Sequence, residues 1–79
     1  MKERPTTPET LAFGLLVKKL RLSHGLLLWE AAGRMGATPA WLSSLEHGRQ
    51  ELTPEVLQLV STWAETLPNL AAHLMWRDR

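Results

Sequence analysis

His24, His47 and His73 are the residues with the widest chemical repertoire in this chain of 79 residues. Imidazole ligates metals and moves protons, but both tasks need neighbouring ligands or a paired acid. The three histidines are isolated from one another, cysteine is absent, and Asp78 is the sole aspartate. No glycine-rich phosphate loop and no clustered acid and base stand beside them. The expectation is a protein that is not an enzyme and takes no metal and no cofactor. His47 reads instead as the polar end of a helix.

The cations are more informative. Residues 17–50 carry Lys18, Lys19, Arg21, Arg34 and Arg49 against Glu30 and Glu46, a net of +3. Residues 51–79 carry Arg77 and Arg79 against Glu51, Glu55, Glu65 and Asp78, a net of −2. The first half therefore suits a polyanion such as nucleic acid, and the second suits another task.

These side chains must be positioned by helices. Thr7-Pro8-Glu9, Thr38-Pro39 and Thr53-Pro54-Glu55 each place a capping hydroxyl before a proline in the first turn. Phe13, Leu16, Val17 and Leu20 recur at helical spacing in the first helix, which Gly25 stops. A second helix is expected from about Leu27 to Met35, with Gly36 as terminator. A third carries Trp41, Leu42 and Leu45 and ends at His47-Gly48. In the fourth, Leu57, Val60 and Ala64 form one stripe that Val56, Leu59 and Trp63 widen. Leu67-Pro68-Asn69 breaks the chain before a fifth helix, Leu70 to about Arg77. Nothing reads as a strand. The expected fold is all-α, a compact bundle of five short helices. Residues 1–6 form a flexible N-terminal arm and residues 7–79 a single domain. No apolar run reaches membrane-spanning length and no signal pattern opens the chain, so a cytoplasmic protein is expected.

The tight turn at Gly36 fits a helix-turn-helix. Phe13-Gly14-x-x-Val17-x-x-Leu20-Arg21, then Gly25-Leu26, resembles the first helix of the Cro/C1-type (XRE-like) helix-turn-helix transcriptional regulators. Ala32, Gly36 and Leu42-Ser43-x-Leu45-Glu46-x-Gly48-Arg49 continue the resemblance, and Leu57-x-x-Val60 resembles the following helix. It covers roughly residues 11–66 without a gap.

The resemblance implies a lambda-repressor-like DNA-binding domain, with helix 2 across the DNA backbone and helix 3 in the major groove. The implied function is sequence-specific transcription regulation, as a repressor, by a homodimer on a near-palindromic operator. A bacterial, plasmid or phage origin is implied as well. Arg21 and Glu46 match positions that form an internal ion pair orienting helix 3. The implied DNA-contacting set is Thr38, Pro39, Ala40, Trp41, Ser43, Ser44 and His47, with Arg49 and Arg34 for phosphates. Ser44 is the best candidate for a base edge, and Ala40 could meet a thymine methyl.

Two departures stand out. Leu27 and Leu28 replace the polar cap and the glutamine that commonly touches phosphate. With Trp29 and Trp41 they form a candidate exposed apolar patch. The alternative reading is a protein-interaction module of antitoxin or anti-regulator type on the same scaffold, its partner meeting Leu27, Leu28 and Trp29. The net-acidic residues 54–79 are expected to supply dimerisation helices, with Trp63, Leu67, Leu70, Leu74 and Trp76 at the interface.

Overall fold

The computed structural model describes residues 6–67. Four helices follow one another: α1 Pro8–Ser23, α2 Leu28–Met35, α3 Pro39–Glu46 and α4 Pro54–Glu65. No strand occurs among the described residues. The expected fifth helix lies outside them, as do the interface residues Leu70, Leu74 and Trp76 and most of the expected arm.

Three helices begin by the same local device. The Thr7, Thr38 and Thr53 hydroxyls accept from the backbone N–H of Thr10, Trp41 and Val56, at 3.2, 3.1 and 3.2 Å. Each threonine is followed by a proline that has no N–H to satisfy. α2 is the exception. Leu27 occupies its cap position and offers no acceptor, so only the return bond survives, Leu27 N–H to Glu30 Oε1 at 2.9 Å. The first three helices end alike, in reversals closed by Leu26 N–H to Arg21 O, Ala37 N–H to Ala32 O and Arg49 N–H to Ser44 O. At Gly36 the reversal needs the left-handed backbone, φ 76°, which a side chain would strain.

The core is formed by Val17, Leu26, Ala31, Ala32, Met35, Leu42, Leu45, Val60 and Trp63. Ala31 and Ala32 are fully enclosed, and their small size lets α2 and α3 cross closely. Around this core pack Phe13, Leu20, Leu28, Trp41, Val56, Leu59 and Leu67.

Three sequence expectations are corrected. Leu16 is 62% exposed, because the buried line of α1 runs through Gly14, Val17 and Arg21. Leu57 is 41% exposed, because α4 turns Val60 and Trp63 inward and Leu57 lies a quarter-turn away. Trp63, expected at a dimer interface, is 2% exposed and belongs to this chain's own core. A bundle this small has few large side chains with which to fill its centre. The Trp63 indole Nε1 is buried without a hydrogen-bond partner among the described residues. No helix is long and apolar enough to cross a membrane among the described residues.

Candidate nucleic-acid interface

α3 is held to α1 by a buried ion pair. Arg21 Nε donates to Glu46 Oε2 at 2.7 Å and Arg21 Nη2 to Glu46 Oε1 at 3.0 Å, a two-pronged pairing of planar groups. Arg21 Nη1 donates to the Leu26 carbonyl at 2.9 Å. One guanidinium therefore ties together the last turn of α1, the α1–α2 turn and the last turn of α3. Both residues are buried, so each charge depends on the other for compensation.

Two glycines permit this approach. A β-carbon on Gly14 would stand 2.4 Å from the Leu45 carbonyl oxygen and 2.7 Å from that of Glu46. One on Gly48, whose φ is 76°, would stand 2.9 Å from the Leu11 α-carbon. The backbone of α1 thus rests directly on the end of α3. The contacts of Gly14 and the Leu26 carbonyl were not legible beforehand. A glycine inside an otherwise helical pattern was the available signal.

With Leu42, Leu45 and Glu46 turned inward, helical geometry brings Ala40, Ser43, Ser44 and His47 to one outward stripe. Thr38, Pro39, Ala40 and His47 are exposed, and Trp41, Ser43 and Ser44 are partly so. His47 Nδ1 lies 2.7 Å from the Ser43 carbonyl oxygen. A carbonyl can only accept, so Nδ1 carries the hydrogen. In the neutral ring Nε2 is left as an acceptor, able to take a hydrogen bond from the amino group of an adenine or cytosine.

Arg49 is exposed just beyond the Gly48 turn. Arg34 is also exposed, but it lines a groove with Pro54 and Glu55 of α4. The structure thus groups Arg34 with α4 rather than with the α3 stripe. The proposed patch at the start of α2 is divided. Leu27 and Trp29 are 58% and 64% exposed, whereas Leu28 and Trp41 pack partly against the core. Among the described residues no group of three or more His, Cys, Asp or Glu could hold a metal ion.

No family model matches the chain, and no curated protein sequence matches it. Among solved structures, the clp gene regulator ClgR from C. glutamicum is similar to it. The two are 31% identical over 77% of this chain and 78% of that one, with a TM-score of 0.68.

Proposed function

The chain belongs to the helix-turn-helix gene regulators, and from that premise we propose that it binds duplex DNA sequence-specifically and represses transcription as a homodimer. The observation that carries this reading is the stripe Ala40, Ser43, Ser44 and His47, on a helix fixed by the buried Arg21–Glu46 pair. A recognition helix must present a few short polar and apolar side chains in a rigid frame. Ser44 and His47 Nε2 read base edges, Ala40 meets a thymine methyl, and Arg49 and the backbone N–H groups of the first turn of α3 hold phosphate. Thr38, Pro39, Trp41 and Ser43 shape the same face. Arg34 stays a phosphate contact only if the DNA backbone reaches the α2–α4 groove.

The dimer is assigned to residues 54–79 through Leu67, Leu70, Leu74 and Trp76, with a two-fold axis setting two recognition helices roughly 34 Å apart. Selection of bound sequences from a random duplex pool tests the whole reading. It is expected to yield a near-palindrome with half-sites about one helical turn apart. An unenriched pool contradicts it.

The exposure of Leu27 and Trp29 favours a second reading, in which the scaffold also or instead receives a protein at the start of α2. Loss of a captured protein on Trp29→Ala, with unchanged DNA affinity, would favour that reading.

A further inference from the structure

α1 buries Gly14, Val17 and Arg21 against the rest of the bundle, and a second line of side chains runs along it unburied. Leu11, Leu15, Lys18 and Leu22 are all exposed. Their steps of four, three and four residues place them within about 60° of helical arc, the spacing of a coiled-coil seam. The seam runs for three turns, about 17 Å. Three exposed leucines on one line are a contiguous apolar surface rather than scattered ones.

Lys18 decides what fits this seam. Among the described residues neither Lys18 nor Lys19 pairs with an acid, and no acid stands between Glu9 and Glu30. One ammonium within a leucine seam selects a helix that sets a carboxylate opposite it. A second copy of α1 has none to offer. Laid parallel, Lys18 meets Lys18, and laid antiparallel with Leu11 on Leu22, it meets Leu15. α4 of a second copy has Glu55 and Glu65, but Leu57 is its sole exposed large apolar side chain among the described residues. Residues 1–5 and 68–79 each carry a net charge of +1, so they do not complement a lysine either. A bilayer surface favours an unbroken apolar arc edged by cations, whereas Lys18 interrupts the arc between Leu15 and Leu22.

We infer that the outer seam of α1 docks one helix of another protein, a helix with large apolar side chains at the same spacing and an aspartate or glutamate opposite Lys18. The match of charge and spacing fixes both partner and register. This seam shares no residue with the α3 stripe, so it is a second interface and does not depend on the DNA reading.

The test is selection of a displayed helical peptide library, randomised along one face, on the immobilised full chain. The expected winners carry apolar residues at four-three-four spacing and an acid fixed at one position between them. Lys18→Glu should weaken a winning peptide about tenfold, since attraction becomes repulsion. A second selection on that variant should return lysine or arginine at the same position, a gain that an unfolded variant would not give. Leu15→Glu should abolish binding, whereas Leu16→Glu, exposed on a different arc of α1, should leave it intact. No enrichment, winners that still bind Leu15→Glu, or an acid that fails to reverse would each overturn the inference. Three further outcomes reassign the seam and overturn it as well. A dimer in sedimentation that Leu15→Glu dissolves gives the seam to a second copy. Lys18-dependent flotation with phosphatidylglycerol vesicles gives it to a membrane. Displacement of the winning peptide by random duplex DNA gives it to nucleic acid.

Discussion

Gly14 lies against Leu45 so closely that a methyl group on it would stand 2.4 Å from the Leu45 carbonyl oxygen. This contact sets how near α1 can come to the end of α3, and with it the reach of Arg21 to Glu46. Gly14→Ala gains about 1 kcal/mol of helix propensity, but the clash is with backbone, which cannot rotate away. The expected net change is a loss of about 1–3 kcal/mol, the range for overpacking. Gly33 supplies the control, since a β-carbon there meets nothing within 4 Å. Gly33→Ala should stabilise by about 0.5–1 kcal/mol. Urea unfolding of both variants checks the pair, and a Gly14→Ala variant stabilised like Gly33→Ala would refute the close approach.

Removing Glu46 would leave the Arg21 guanidinium buried and uncompensated. Glu46→Ala is expected to cost on the order of 3–5 kcal/mol, a large share of a small domain's stability. Arg21→Lys retains a charge but cannot span both carboxylate oxygens and the Leu26 carbonyl in a fixed plane. It should be destabilising too. Melting of Glu46→Ala within a degree or two of the parent would show that the pair does not hold the fold.

The weak start of α2 offers a gain. Leu27 is exposed and caps nothing, so Leu27→Ser should add about 1 kcal/mol. In a domain of this size that raises Tm by roughly 4–8 °C. An unchanged melting temperature would mean that the first N–H groups of α2 are already satisfied.

Much of this architecture is written locally. The threonine–proline starts and the glycine stops depend on a few adjacent residues, so their positions could be read directly from the chain. Which side of each helix faces inward depends on partners distant in sequence. Leu16 and Val17 are equally apolar, and only the packing of α1 on α3 decides that Val17 is buried and Leu16 is not. Trp63, expected at a dimer interface, is drawn into the small core instead. Arg34 shows the same limit at the candidate site, where the groove with α4 claims it. The stripe on α3 was legible because a helix anchored by Leu42 and Leu45 has only one remaining face.

Base contacts and phosphate contacts should separate by substitution. Arg49→Ala is expected to weaken all duplexes to a similar degree, because phosphates carry no sequence. Ser44→Ala should weaken the selected site more than random DNA, by an amount typical of a lost base contact, about 1–3 kcal/mol. Equal losses on both duplexes would remove Ser44 from the base-reading face.

The central claim is that the face held in place by Arg21 and Glu46 binds duplex DNA. Its most direct test is the fluorescence anisotropy of a labelled duplex titrated between about 50 and 200 mM salt, the range over which phosphate contacts show most clearly. The predicted result is an affinity that falls linearly on a log–log plot, with a slope near −0.9 for each phosphate neutralised, and a shallower slope for Arg49→Ala. No binding at the lowest salt, or an affinity indifferent to salt, would contradict the account.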